Sequence, residues 1–421
     1  MLNKLFIGMA DRLIKSGTLH LTLADGSTHR FGDGSAPEVS VRFTTDKLPM
    51  KLLRNPELAL GEAYMDQELV IEGDDVRGLL TLVVRNAERG HMPAWQRWAK
   101  AARRQLRKWH QWTPLAKARK NAEHHYEIST PFYELFLDES MLYTCAYFRD
   151  IDDTLEQAQD NKKHHIAKKL LIKPGMRVLD IGCGWGELGV TLARDYGANV
   201  VGVTLSEQQR QHAIARAKKA GVADKCDFRL MDYRDVDETF DRIVSVGMLE
   251  HVGQPQYGTY FRQVAKNLAE DGVALIHFIG RSSPPGNLSP WFNKYIFPGG
   301  YTPALSEVFT DIEKTPLLQT DIECWRTHYA RTLYEWLVRF EETLDQARDM
   351  YDERFIRMWR YYLIASELSM SDMPHDLYQV QLAKRKDAVP IARDYLYGGE
   401  VDGALRNAIR IEEQPPKLAA E

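Results

Sequence analysis

The chain has 421 residues, of which 44% are hydrophobic and 27% are charged, and its net charge is −4. This composition is typical of a folded, soluble protein, and the length favours two domains. The four distant cysteines form no CxxC pair, so no zinc site, other metal site or disulfide framework is expected, and no apolar run reaches the ~20 residues that cross a bilayer.

A small α+β domain is predicted over residues 1–110. The segment "LNKLFIGMADRL" has apolar residues at helical spacing and lacks the cleavage site of a signal peptide. Leu19, Leu21 and Leu23 alternate with polar residues before Asp25-Gly26, which predicts a β-hairpin. Another strand is predicted over 39–43 and mostly helix over 49–90. No catalytic group of residues is evident in this domain.

Between Trp95 and Ala122 the sequence is basic and contains no acidic residue. Its basic residues are Arg97, Lys100, Arg103, Arg104, Arg107, Lys108, Lys117, Arg119 and Lys120. Four tryptophans fall on the opposite side of a helical wheel, a pattern typical of a helix lying on anionic lipid. The alternative is a linker helix packed on the second domain. Nucleic acid is not expected, because no recognised binding motif accompanies the charge. The basic linker is placed at 111–125.

Helix and strand patterns alternate from residue 126 onward. This alternation predicts a doubly wound, Rossmann-like α/β domain over 126–400, with its ligand at the carboxyl ends of the strands. From Arg281 the sequence is rich in aromatic residues and is expected to be largely helical and to cover the top of the sheet. Residues 401–421 are assigned to a tail.

The glycine loop in "VLDIGCGWGEL" follows the first strand of this domain. Gly182 and Gly184 allow a ligand to approach the backbone closely. The dinucleotide fingerprint is not matched, because Glu187 stands where it needs Gly or Ala. Asp180 offers a carboxylate that suits a cationic ligand and disfavours a pyrophosphate. The loop therefore favours the amino-acid part of S-adenosylmethionine over a dinucleotide.

The next two strand ends supply further candidates for the nucleoside. Thr204 and Gln209 are candidates for polar contacts, although Gln209 could instead form a helix capping box with Ser206. Asp232 and Tyr233 suit the adenine amino group and ring. Their alternative roles are a turn residue and a packed aromatic.

Seven segments of the sequence together resemble cyclopropane-fatty-acyl-phospholipid synthases and the related mycolic acid cyclopropane synthases. They are "YTCAYF", "VLDIGCGWG", "VVGVTLSEQQ", "DYRD", "FDRIVSVGMLEHVG", "IHFIG" and "WFNKYIFPGGY". The resemblance implies a class I S-adenosylmethionine methyltransferase fold, with Tyr143, Thr144 and Leu205 also at the cofactor. It implies methylene transfer to the cis double bond of a phospholipid acyl chain, a lipid-engaging N-terminal domain and a homodimer. With the composition, it leads us to expect a cytoplasmic protein bound peripherally to the inner face of the membrane.

The resemblance also implies a bound bicarbonate that serves as the base of the reaction. Its ligands would be Cys145, Glu250, His277 and Tyr329, with the main chain of Ile279 nearby. Each has a structural alternative: Glu250, at the end of a strand, could be a capped surface carboxylate and His277 a hydrogen-bonded core histidine. Cys145 could be a small buried hydrophobe and Tyr329 a core aromatic.

Six aromatic residues are also candidates for the lining of an acyl channel that stabilises positive charge. They are Tyr143, Tyr147, Trp291, Phe292, Tyr295 and Tyr301. Ser366 stands where some relatives carry Cys, which excludes a covalent thiol role at that position. Two alternatives to cyclopropane synthesis stay open. One is a methyltransferase that acts on a carbon of the acyl group and leaves a methyl or methylene branch, and the other is a lipid-binding protein with a vestigial cofactor fold.

Overall fold

The computed structural model describes residues 2–87 and 128–397. Four of the expectations above lie outside the described residues: the basic stretch from Trp95 to Ala122, the linker at 111–125, the domain boundary near 110 and the tail at 401–421. They stay predictions from the sequence.

The N-terminal region contains a four-stranded sheet with neighbour order β2-β1-β3-β4. Its strands are β1 (Thr18–Thr22), β2 (Thr28–Gly32), β3 (Glu38–Phe43) and β4 (Leu69–Ile71). Its helices are α1 (Leu2–Leu13), α2 (Leu48–Arg54), α3 (Pro56–Met65) and α4 (Val76–Asn86). The predicted hairpin is confirmed, because β1 and β2 pair antiparallel around Gly26, which has a positive φ of 83°. The expectation of mostly helix over 49–90 missed the short β4.

The second sheet has seven strands in the order β10-β11-β9-β8-β5-β6-β7. The strands are β5 (Arg177–Ile181), β6 (Asn199–Thr204), β7 (Cys226–Leu230), β8 (Phe240–Val246), β9 (Leu268–Arg281), β10 (Leu318–Cys324) and β11 (His375–Ala383). Strands β5 to β9 pair in parallel, as predicted for a doubly wound domain. In the sheet, β6 lies on one side of β5 and β8 lies on the other side. Their carboxyl ends therefore flank the crevice in which such folds bind ligands.

Helices cover this sheet and connect its strands. They are α5 (Thr130–Glu134), α6 (Leu155–Lys169), α7 (Glu187–Tyr196), α8 (Glu207–Lys219), α9 (Leu249–Val252), α10 (Tyr257–Asn267), α11 (Pro290–Tyr295), α12 (Leu305–Ile312), α13 (His328–Glu342), α14 (Leu344–Met350), α15 (Glu353–Ser371) and α16 (Asp394–Tyr397). The largely helical prediction beyond Arg281 missed β10 and β11, which extend the sheet: β11 pairs antiparallel with β9, and β10 pairs antiparallel with β11.

The two regions pack directly on each other through α3, α11 and α15. Trp291 on α11 is buried, with its indole Nε1 3.3 Å from the Met65 sulfur. A Cβ at Gly61 would lie 2.4 Å from that nitrogen, so only glycine permits the contact. Arg354 on α15 donates to the Asp66 carboxylate at 2.7 Å. The N-terminal region is thereby held against helices α11 and α15 of the second domain.

Candidate active site

One continuous cavity of about 1120 Å³ opens at the carboxyl ends of β5, β6, β8 and β9. Every predicted cofactor residue lines it, namely Tyr143, Thr144, Asp180, Gly182, Gly184, Thr204, Leu205, Gln209, Asp232 and Tyr233. Every predicted base-site residue lines it as well, namely Cys145, Glu250, His277, Ile279 and Tyr329. Residues far apart in the sequence thus share one wall, because parallel strands present their carboxyl ends at the same edge.

The glycine loop joins β5 to α7, and its glycines have separate roles. Gly184 has a φ of +54°, and a Cβ there would meet no atom of the described residues within 4 Å. Since Gly184 lines the cavity, that open space belongs to the ligand. Gly186 has a φ of +82°, but a Cβ there would lie 2.5 Å from the Ala213 Cβ. Gly186 therefore serves helix packing, whereas Gly184 permits close approach of a ligand.

Asp180, near the end of β5, is a buried carboxylate that is 2% exposed. Its Oδ2 has no hydrogen-bond partner among the described residues. Burial raises the pKa of this carboxyl to about 7. A buried carboxylate without a partner is costly, and a cationic group in the cavity would relieve that cost. The arrangement suits the ammonium of the amino-acid part of S-adenosylmethionine.

The second and third strand ends present polar groups that already have protein partners. The Thr204 hydroxyl donates to Gln209 Oε1 at 2.9 Å. The Ser206 hydroxyl caps α8 by accepting from the Gln209 N–H at 3.3 Å, but the Gln209 side chain does not complete a capping box. Asp232 accepts from Arg234 Nε and Nη2, each at 2.8 Å. Buried Tyr233 follows Asp232 at the cavity wall.

Glu250 and Ile279 meet across the top of the sheet. The Ile279 N–H donates to Glu250 Oε1 at 2.6 Å, whereas Glu250 Oε2 has no partner among the described residues. Burial raises the pKa of Glu250 to about 7. The prediction that Glu250 lies at the end of a strand is wrong, because β8 ends at Val246 and Glu250 lies on the one-turn helix α9. That turn directs Glu250 back toward β9.

His277 lies on β9, fully within the sheet, as predicted. Its Nδ1 is 3.1 Å from the Gln379 amide nitrogen on β11. Because that nitrogen only donates, Nδ1 accepts and the proton of the neutral ring resides on Nε2. Burial lowers the pKa of His277 well below its usual value, and Nε2 has no partner among the described residues. His277 is therefore a neutral donor at the cavity wall. Gln379, which sets its tautomer, was not anticipated from the sequence.

Cys145 and Tyr329 complete the cluster. The buried Cys145 thiol donates to the Ala146 carbonyl at 3.3 Å, and burial raises its pKa, so it stays protonated. Burial also raises the pKa of Tyr329 well above its usual value, and the neighbouring Tyr362, Cys145 and Glu250 add to that rise. These residues are thus close enough to act on one another electrostatically.

Three of the six aromatic candidates line this cavity, whereas their role in an acyl channel stays a prediction. Tyr143, Phe292 and Tyr301 line the cavity. Tyr147, Trp291 and Tyr295 are not among the described lining residues. Tyr147 stacks on His165 at 4.5 Å, Trp291 packs on the N-terminal region and the Tyr295 hydroxyl donates to Glu62 at 2.8 Å. Ser366, on α15, does reach the cavity.

These features define a class of protein. The parallel sheet, the glycine loop at its switch point and the unpartnered carboxylate of Asp180 together form the fold and cofactor site of a class I S-adenosylmethionine-dependent methyltransferase.

Comparison with known proteins gives the family. Residues 114–380 match the model of the mycolic acid cyclopropane synthetase family, and residues 11–92 match a domain of unknown function. The chain is 37% identical to the cyclopropane-fatty-acyl-phospholipid synthase of Escherichia coli K12 over 352 residues, which cover 84% of this chain and 89% of that one. It is 34% identical to a probable fatty acid methyltransferase of Pseudomonas putida over 378 residues, covering 87% and 92%.

A solved structure extends the likeness to three dimensions. The mycolic acid cyclopropane synthase CmaA1, complexed with SAH and CTAB, matches with a TM-score of 0.60 at 30% identity, covering 65% of this chain and 99% of that one. The chain belongs to the mycolic acid cyclopropane synthetase family, and the resemblance inferred from its motifs is confirmed. It is an S-adenosylmethionine-dependent methyltransferase.

Proposed function

We propose that this enzyme transfers a methylene group from S-adenosylmethionine to the cis double bond of an unsaturated acyl chain in membrane phospholipid. Its family carries out cyclopropane or methyl transfer to lipid acyl chains. The observation that carries the proposal is the extent of the cavity, which continues from the cofactor edge into the N-terminal region. There most of its lining residues are apolar, including Phe6, Leu13, Leu21, Phe43, Leu80 and Val83.

The size and lining of the cavity suit a long hydrocarbon beside the cofactor. Ligand sites usually measure ~300–1,000 Å³, and this one, at about 1120 Å³, is larger. Burying each CH₂ of an acyl group contributes about 0.8 kcal/mol, so an apolar extension can hold the hydrocarbon without any polar contact.

The reaction needs positioning and a dry site, because an alkene is a weak nucleophile. S-adenosylmethionine supplies an electrophilic methyl group: a carbon–carbon bond forms to the alkene as the sulfur–methyl bond breaks, which leaves a carbocation. Loss of a proton from the new methyl group then closes the ring. The rings of Tyr143, Phe292 and Tyr301 line the cavity, where they favour positive charge.

A bicarbonate ion is proposed as the base that takes this proton. The residues present fit it, because Nε2–H of His277 and Oε2 of Glu250 are buried polar atoms without partners among the described residues. The Tyr329 hydroxyl adds a donor to the same wall, whereas the proton of the neighbouring Cys145 thiol is already donated to the Ala146 carbonyl. Together they offer two donors and one carboxyl group, a set suited to an oxyanion that carries one proton.

Contact with the lipid is proposed to be peripheral, at the inner face of the membrane. None of the described helices combines the length and the apolar character that a membrane span needs. Helix α1 supports surface contact: Leu13 faces the cavity, whereas Leu5 is 61% exposed. The basic, tryptophan-bearing stretch 95–122 gives sequence support for an anionic lipid partner. The cytoplasmic location and the homodimer stay predictions.

The test uses the purified enzyme with S-adenosylmethionine, bicarbonate and vesicles of monounsaturated phosphatidylglycerol. We expect the lipid to gain the mass of one CH₂ and to lose its olefinic proton signals. Vesicles of saturated lipid serve as the control. A mass gain with new exocyclic olefinic signals would favour the alternative of an acyl-group methyltransferase that leaves a methylene branch; a relative in P. putida is named a probable fatty acid methyltransferase. No mass gain on vesicle lipid would refute the phospholipid proposal.

A further inference from the structure

Lys162 is a buried cation in the wall of the active-site cavity. It lies on α6, is 2% exposed and lines the cavity. Its Nζ donates to the Thr144 hydroxyl at 2.7 Å. Neither the motifs of the sequence nor the reaction described above gives this ammonium a role.

In the part of the chain that the structure describes, Lys162 lacks the carboxylate partner that neighbouring lysines of its helix have. Lys163 Nζ lies 2.9 Å from Glu187, and the buried Lys169 Nζ lies 2.6 Å from Glu323. Within residues 2–87 and 128–397, no Asp or Glu oxygen lies within 4.0 Å of Lys162 Nζ. An ammonium has three donors, and among the described residues Lys162 forms only the bond to Thr144. A buried charge with so few partners is destabilising unless an anion joins it.

Asp138 does not fill that role. Its two carboxylate oxygens accept the backbone N–H groups of Ser140 and Leu142 at 2.9 and 3.0 Å. Its charge still favours the protonated lysine, but burial has the larger effect and lowers the pKa of Lys162 to about 8. The geometry thus leaves donors of Lys162 available beside Thr144.

The position of the ammonium identifies the ligand chemistry. Thr144 belongs to the predicted cofactor side of the cavity, and Cys145 and His277 belong to the base side. The charge of Lys162 acts on both Cys145 and His277. An anion beside Lys162 would therefore lie between the cofactor and the proposed base.

We propose that Lys162 binds a carboxylate-type oxyanion in the cavity, supplied either by the amino-acid part of S-adenosylmethionine or by bicarbonate. The inference rests on the proposed function and adds a cationic ligand to that site. Lys162 would hold the oxyanion through a charge-assisted hydrogen bond, while Thr144 fixes the direction of the ammonium.

The experiment compares Lys162→Met with the parent and with Lys168→Met, a control on the same helix whose Nζ donates to the Leu396 carbonyl. Calorimetry measures the affinity for S-adenosylhomocysteine and for 5′-methylthioadenosine, which lacks the carboxylate and the ammonium. Steady-state kinetics measure the bicarbonate concentration that gives half-maximal turnover. Thermal melts establish that each variant is folded, and Lys162→Gln replaces the Met variant if the latter does not fold.

Two outcomes support the proposal and identify the source of the oxyanion. If it is the cofactor carboxylate, Lys162→Met weakens S-adenosylhomocysteine about tenfold or more and leaves methylthioadenosine unchanged. If the oxyanion is bicarbonate, Lys162→Met leaves the affinity for S-adenosylhomocysteine unchanged and raises the half-saturating bicarbonate concentration by a similar factor. A folded variant with neither change overturns the inference. A parent that binds no S-adenosylhomocysteine, or does not modify lipid, refutes the proposed function instead.

Discussion

Glu250 is 9% exposed, and among the described residues its carboxyl group forms a hydrogen bond through one oxygen only. In Glu250→Gln, the amide oxygen can still accept the N–H of Ile279, and the amide nitrogen replaces the oxygen that has no partner among the described residues. The substitution therefore removes the ionisable group while it preserves the shape and the hydrogen bond.

The magnitude follows from the pKa of Glu250, which burial raises from 4.5 to about 7. A raised folded-state pKa means that stability is fully present below pH 4.5 and is lost as the pH rises through about 7. At 1.36 kcal/mol per pH unit, the loss amounts to roughly 3 kcal/mol. The Gln variant does not suffer it, so its free energy of unfolding should exceed that of the parent by this amount at pH 8 and by little at pH 5.

Urea unfolding of ligand-free parent and variant at pH 5 and pH 8 measures the difference. Glu342→Gln, at an exposed position at the end of α13, is the matched control and should change stability equally at both pH values. The Glu250 variant should also lose turnover while it retains affinity for S-adenosylhomocysteine. An advantage of the variant that is the same at pH 5 and pH 8 would show that Glu250 is not desolvated as described.

Three further variants test separate parts of the site. Gly184→Val should abolish binding of S-adenosylhomocysteine in calorimetry, because its side chain fills ligand space; unchanged affinity would contradict the role of the loop. His277→Ala should lose turnover and keep cofactor affinity, and normal turnover would remove it from the base site. Changing four basic residues of the 95–122 stretch, which lies outside the described residues, to Gln should reduce co-sedimentation with anionic vesicles at low salt. The free energy of membrane binding should weaken by up to ~1 kcal/mol per charge removed. The four are Arg103, Arg104, Arg107 and Lys108; equal sedimentation would make that stretch only a solvated linker.

Much of the fold and the site could be predicted because the relevant signals are local. Alternating helix and strand patterns indicate a parallel sheet, and its topology brings the residues after each strand to one edge. Asp180, Thr204 and Glu250 therefore converge although they lie far apart in the sequence. Gly184 could be assigned because only glycine tolerates both the positive φ and the close approach of a ligand.

The features that were missed depend on partners distant in the sequence. Helix α6 has the composition of a solvated helix, yet Lys162, Lys163 and Lys169 on it are buried. Their ammonium groups contact Thr144, Glu187 and Glu323, and no pattern within the helix reveals these partners. Strands β10 and β11 were missed for the same reason, since β11 joins the sheet by antiparallel pairing with the distant β9, and β10 joins it by pairing with β11.

The ionisation of Asp180 should be coupled to binding of the cofactor. With a pKa of about 7, this carboxyl is about half protonated at pH 7. An ammonium beside it favours the ionised form, so binding should lower its pKa and release the proton.

Calorimetric titration of S-adenosylhomocysteine in buffers of different ionisation enthalpy should therefore show that the parent releases roughly half a proton more than the Asp180→Asn variant at pH 7 and almost no more than the variant at pH 9. The variant lacks the Asp180 proton but keeps the other titrating groups of the cavity, such as Lys162 with its pKa of about 8, so the difference between the two proteins isolates Asp180. If parent and variant released the same number of protons at pH 7, or differed as much at pH 9 as at pH 7, Asp180 would not be the group that meets the ammonium, and the cationic side of the cofactor would have to lie against another carboxylate.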